Sequence, residues 1–298
     1  MSSARATAGE VVQAHLRAQL DVLRALDPDV RADRPDAVHQ MRVATRRLRS
    51  ALATYRPLFD RTRTDPVRDE LRWLARALGG ARDAEVLRER LLTSTEGIDP
   101  ELVLGPAVRR IDQVTAARHR DAVTVLRTAM DDPRYGRLLE ELDRLVDDPP
   151  FTERARRPAV TELARHVARS VRRVRRRAQA AGDAATPALR DALLHAVRKD
   201  AKRGRYAAES VEPVLGDPAA RAGRRFKQLQ QLLGEHQDSV VARQALREMG
   251  VAAHLAGENG FTFGLLHGLE VARSERMITR DPKVLRKATA ARPLRWPT

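Results

Sequence analysis

A twelve-residue pattern in this chain recurs 156 positions later. Val38-His39-Gln40-Met41-Arg42-Val43-Ala44-Thr45-Arg46-Arg47-Leu48-Arg49 and Leu194-His195-Ala196-Val197-Arg198-Lys199-Asp200-Ala201-Lys202-Arg203-Gly204-Arg205 share apolar-His-x-x-Arg-x-x-x-(Arg/Lys)-Arg-x-Arg. The spacing of His39, Arg42, Arg46 and Arg49 puts all four on one stripe of an α-helix, and His195, Arg198, Lys202 and Arg205 share that spacing. A second element follows each helix. Trp73 to Asp83 and Leu229 to Asp238 align around Leu-Gly-x-x-(Arg/Gln)-Asp, pairing Gly79 with Gly234 and Asp83 with Asp238 at an offset of 155. Two motifs in the same order at nearly the same offset point to internal duplication of a helical unit.

Composition agrees with helices. Arg, Ala and Leu dominate the 298 residues, and all are good helix formers. Aromatic residues make up 3% and no run of alternating β-branched residues stands out, so the expected class is all-α. There is no cysteine, which excludes disulfides, thiolate metal sites and cysteine nucleophiles. No stretch approaches the ~18 apolar residues of a membrane span, and the N-terminus lacks the apolar core of a signal peptide. The expectation is a cytoplasmic protein with no membrane partner.

The net charge is +16, and it is unevenly placed. Residues 37–58 hold five Arg and no acid, residues 154–177 hold ten Arg and one acid, and residues 131–148 hold seven acids against three Arg. Solvated helix faces account for scattered arginines, but not for their clustering and repetition. A surface for a polyanion follows.

Proline, glycine and capping residues divide the chain. Expected helices cover 8–26, ended by Asp27-Pro28; about 35–55; 65–92, capped by Asp65 before Pro66 and interrupted at Gly79-Gly80; 106–130; and 133–146. A second set covers 153–181, then helices opening at Thr186-Pro187 and Asp217-Pro218, and 261–278. Residues 281–298 hold three prolines and read as a loosely ordered tail. The domain reading is one unit over 8–280, made of repeats 8–150 and 151–280. Each repeat is a four-helix bundle, and a pseudo-two-fold axis turns both basic stripes toward a shared central groove.

The His-helix motif and the Leu-Gly-x-x-x-Asp element after it resemble the CHAD family, the conserved histidine α-helical domain; His236-Gln237-Asp238-Ser239-Val240-Val241-Ala242-Arg243 is similar as well. The likeness covers about residues 9–278. It implies two four-helix units with two-fold pseudosymmetry and binding of inorganic polyphosphate by basic residues of the central groove, with polyphosphate granules among the expected partners. Some members are fused to a CYTH domain. No Glu-x-Glu-x-Lys strand occurs here, so the chain reads as a stand-alone, non-enzymatic binding module without cofactor or metal.

By motif matching, the resemblance carries ligand contact onto His39, Arg42, Arg46, Arg49, His195, Arg198, Lys202 and Arg205. Arg47, Lys199 and Arg203 lie on the same two helices. Arg165, Arg169, Arg172, Arg173 and Arg176 on the long basic helix extend the groove, and Arg72, Arg76 and Lys227 flank it. Gly79, Asp83, Gly234 and Asp238 read as structural. Arginine suits phosphate because its planar fork holds two oxygens and stays charged. Charge crowding disfavours protonation of the two motif histidines and a bound polyanion opposes that, so binding is expected to be tighter near pH 6 than pH 8.

Two rivals stand beside this reading. Nucleic acid is attracted by the same charge, but single-strand readers supply stacking aromatics, and only Tyr55 and Tyr206 lie near the motifs, which makes it the weaker competitor. A metal-dependent phosphate enzyme would need machinery such as Gly-x-x-x-x-Gly-Lys-(Ser/Thr) or His-Glu-x-x-His, and neither occurs.

Overall fold

The structure, a computed structural model, describes residues 6–280. The tail expected over 281–298 lies outside the described residues. Every named element among the described residues is helical, and β pairing is confined to two isolated bridges, Thr7 with Pro158 and Phe59 with Phe151. The helices are α1 (Ala8–Ala25), α2 (Asp27–Arg31), α3 (Ala37–Thr54), α4 (Arg61–Glu96), α5 (Ala107–Asp131), α6 (Pro133–Asp147), α7 (Ala159–Gly182), α8 (Pro187–Leu215), α9 (Asp217–Leu255) and α10 (Phe261–Arg280).

Local chemistry sets most boundaries. Thr7 caps α1 in a reciprocal capping box with Glu10. Asp132 accepts from the Arg134 amide ahead of Pro133, and Thr186 accepts from the Leu189 amide ahead of Pro187. Helix α1 ends at Ala25, ahead of Asp27-Pro28 as expected, and that pair also opens the short α2, with the proline in the first turn where its missing N–H costs nothing. Two expectations shift. Asp65 does not cap the next helix. α4 begins at Arg61, where the Asp60 carboxylate takes the Thr62 amide at 2.9 Å, and Pro66 lies inside the helix. Asp65 instead holds Arg56 and Arg68. Helix α4 also runs unbroken through Gly79-Gly80.

The described chain forms two compact units, residues 6–78 with 129–231, and residues 79–128 with 232–280. Each takes segments from both sequence halves. The second unit is built around Leu91, Ile111, Leu246, Met249, Phe263 and Leu266. Its buried Glu270 is held by Arg90 at 2.7 Å and accompanied by Arg273 at 3.1 Å.

The first unit buries the apolar stripes read from sequence: Val12, Leu16, Leu20 and Leu23 of α1; Val38, Met41, Leu48 and Leu52 of α3; Leu71, Leu74 and Leu78 of α4. Helix α7 packs against α8, and α3 packs against both α1 and α8. Tyr55 fixes the end of α3. Its hydroxyl is 2.8 Å from Ser210 Oγ and donates to the Ala207 carbonyl at 3.2 Å, both on α8. Gly204, near the end of the second motif, has a packing cause. A Cβ there would lie 2.5 Å from the Phe226 ring, so only glycine lets that ring seat against α8.

Candidate functional site

Three helices of the first unit surround a recess of about 420 Å³. Helix α3 supplies Arg46, Arg49, Ser50 and Ala53, which follow i, i+3, i+4, i+7 spacing and so share one face. Helix α4 supplies Arg68 and Arg72, one turn apart. Helix α8 supplies His195, Arg198, Lys199, Lys202, Arg203 and Tyr206. The lining holds eight Arg or Lys side chains and no carboxylate.

Carboxylates lie behind some of these cations. Arg68 meets Asp65 at 2.6 Å and Arg72 meets Asp69 at 2.7 Å. Arg203 is 3.8 Å from Asp200, a buried carboxylate whose nearer partner is Arg177 of α7 at 2.8 Å. The positive field within the recess is visible on Arg49. Burial, followed by the charges of Arg46, Arg72, Arg203 and Arg68, pushes its guanidinium below the ordinary arginine range. The recess can therefore neutralise several negative charges held close together.

Of the residues expected from sequence, Arg46, Arg49, Arg72, His195, Arg198, Lys199, Lys202 and Arg203 come together here. The others do not line the recess. His39 and Arg42 lie farther back along α3, and Arg76 is exposed one turn past Arg72. Arg47 and Arg205 turn to one carboxylate: Arg47 meets Glu209 at 3.1 Å and Arg205 meets it at 2.6 Å. Arg165, Arg169, Arg172, Arg173 and Arg176 are exposed along α7, with Arg165 3.8 Å from Glu162, and Lys227 is exposed on α9.

Sequence reasoning missed Arg68, Ser50, Ala53 and Tyr206. The signal for Arg68 was its position one turn before Arg72, and for Ser50 its position one turn after Arg46. It also missed His166, buried on α7 with its ring edge-on to Tyr55 at 5.5 Å. Burial, then the Arg169 charge, lowers the pKa of that imidazole. Among the described residues, no three His, Asp or Glu side chains converge in a way that could hold a metal ion. No described helix is long and apolar enough to cross a membrane.

Comparison with known proteins gives the following. The CHAD domain family matches residues 14–247. Two uncharacterized proteins of Mycobacterium tuberculosis, from strains CDC 1551 / Oshkosh and ATCC 25618 / H37Rv, are each 40% identical over 274 residues, covering 92% of this chain. The chain spans 52% of the length of each. Among solved structures, PptA from Streptomyces chartreusis superposes with a TM-score of 0.74 at 20% identity, covering 95% of this chain and 99% of its own. The CHAD domain from the plant Ricinus communis superposes with a TM-score of 0.70 at 23% identity, covering 97% and 93%. At those identities the two structures speak for the fold.

Proposed function

The chain belongs to the CHAD domain family, and from that premise we propose that it binds inorganic polyphosphate, without catalysis, in the recess between α3, α4 and α8. The observation that carries the reading is the lining: eight cationic side chains and no carboxylate. A chain of phosphates carries roughly one charge per unit, so it offers acceptor oxygens at a density to match, and each contact is a charge-assisted hydrogen bond. Arg46 and Lys202, which occupy equivalent motif positions, meet the ligand from two helices. The exposed arginines of α7 give a longer chain somewhere to continue. The duplicated helical units and the central basic groove belong to this reading, as does an association with polyphosphate granules.

The aromatic residues favour a ligand without bases. Tyr55 is 1% exposed and Tyr206 is 5% exposed, with the Arg205 guanidinium 5.8 Å from the Tyr206 ring centre. Neither presents a face on which a base can stack, as single-strand readers require.

The test is a calorimetric titration with polyphosphates of defined length. Wild type is expected to bind and to release RNA when polyphosphate is added at equal charge concentration. The variant carrying Arg46→Ala, Arg49→Ala, Arg198→Ala and Lys202→Ala is expected to lose binding while keeping its helical circular dichroism. Equal binding by that folded variant, or RNA displacing polyphosphate, overturns the proposal.

A further inference from the structure

Serine and threonine hydroxyls inside helices commonly donate back to the carbonyl one turn earlier. This protein follows that habit at Thr45 to Met41 (2.9 Å), Thr115 to Ile111 (2.7 Å), Thr124 to Arg120 (2.9 Å), Ser94 to Arg90 (2.8 Å) and Ser170 to His166 (3.2 Å). Ser50 departs from it. It is 7% exposed, it lines the recess, and among the described residues its Oγ meets no hydrogen-bond partner. A buried hydroxyl left in that state costs free energy. Arg46 stands one turn before it and Arg49 immediately before it; such side chains could donate to its oxygen but cannot accept its proton. Its O–H is therefore available to an acceptor that enters the recess.

We propose that Ser50 is a ligand contact, a neutral hydrogen-bond donor to a phosphoryl oxygen, within the cationic recess. The inference rests on the anion-binding reading and adds to it a group no basic motif contains. Its role differs in kind from that of the cations. Arginine and lysine draw phosphate in by charge and release counterions when they do so. A fixed hydroxyl adds direction without changing the charge count, and so selects how a phosphate sits.

That difference makes the contact measurable apart from the charges. Ser50→Ala is titrated with a linear polyphosphate of one defined length over a series of salt concentrations, beside wild type and Lys202→Ala. Loss of a hydrogen bond to a charged acceptor is expected to weaken Ser50→Ala binding by about tenfold or more. The slope of log K against log salt should stay at the wild-type value, whereas Lys202→Ala should lose ~0.7 of slope. The ligand-free melting temperature of Ser50→Ala should be unchanged or higher, because an unsatisfied buried donor has been removed. Ser50→Cys, close in size and a weak donor, should weaken binding in the same way. If Ser50→Ala binds as wild type does while Lys202→Ala is weakened, a solvent molecule serves Ser50 and this proposal falls with the anion reading intact. If Ser50→Ala loses slope like Lys202→Ala, the residue acts by aligning cations, and the proposal falls too. If neither variant changes binding, the anion reading itself fails.

Discussion

Salt should weaken polyphosphate binding to an extent the recess itself sets. Eight cations line it, and Arg68, Arg72 and Arg203 also have carboxylate partners, at 2.6, 2.7 and 3.8 Å. If all eight engage phosphate, counterion release at about 0.7 per contact, the value for single strands, gives a log–log slope of about −5 to −6. If Arg68, Arg72 and Arg203 stay with their carboxylates while the other five engage phosphate, the slope is about −3.5. Raising monovalent salt from about 50 to about 200 mM then reduces affinity by roughly 10²-fold at the shallower slope and 2 × 10³-fold at the steeper one. The assay is titration at four or more salt concentrations with a single chain length. The two limits separate by mutation. Asp69→Asn frees Arg72, so a wild-type slope near −3.5 should steepen toward −4, whereas a slope already near −5 or −6 should not move. A wild-type slope shallower than about −2 would refute the argument, because so few released ions cannot come from a recess with this lining.

Other expectations concern stability. His15, partly buried on α1, titrates at about 4 because burial and then Arg47 oppose its charge, with Glu209 opposing the shift. An unfolded histidine titrates at about 6.5, so the unfolded state binds the proton first, and stability present above that pH declines as pH falls toward 4. The shift corresponds to roughly 3 kcal/mol over the full window, about 2 of it between pH 6.5 and 5, and His166 adds in the same direction. Urea melts at pH 7 and pH 5 should show the loss, and His15→Gln should flatten it; a pH-independent midpoint in wild type would contradict it. Gly204→Ala should lower the thermal midpoint, since the new methyl lies 2.5–2.9 Å from Phe226 ring atoms and overpacking costs about 1–3 kcal/mol. Arg49→Leu should raise the midpoint of the ligand-free protein while weakening polyphosphate binding, because it removes a half-buried charge crowded by four arginines; a fall in the midpoint would mean that the crowding costs little.

How much of this was legible in the sequence depends on the range of the interactions. Helices were readable because their causes are local: Thr186 before Pro187 and Asp132 before Pro133 cap and start α8 and α6 as their residue types dictate. The one capping error, at Asp65, arose because two carboxylates five residues apart could both serve. Asp60 takes the cap, and Arg56 and Arg68 claim Asp65. The cationic face of α3 was legible in part, since Arg46 and Arg49 share a helical stripe. The i,i+3 and i,i+4 partners of Arg68, Arg72, Arg203 and Arg205 follow from spacing as well; what no spacing rule could supply is that Arg47 meets Glu209 from another helix.

The motif positions show this directly. Arg49 and Arg205 are equivalent in the repeated pattern, as are Arg47 and Arg203. Yet Arg49 and Arg203 line the recess, while Arg47 and Arg205 converge on Glu209, a carboxylate 162 residues from Arg47. Sequence equivalence fixes the direction of a side chain relative to its own helix axis. For Arg205 the carboxylate stands one turn on along its own helix and for Arg47 a neighbouring helix supplies it, and for a charged group such a partner decides whether it is a strut or a binding site. In this protein Glu209 makes that division. By pairing with one arginine from α3 and one from α8, it ties together the two helices that carry most of the cationic lining and leaves the remaining charges to face the recess. Ser50 lies among those remaining charges, and an arriving phosphoryl oxygen can accept the hydrogen bond that its hydroxyl does not yet make.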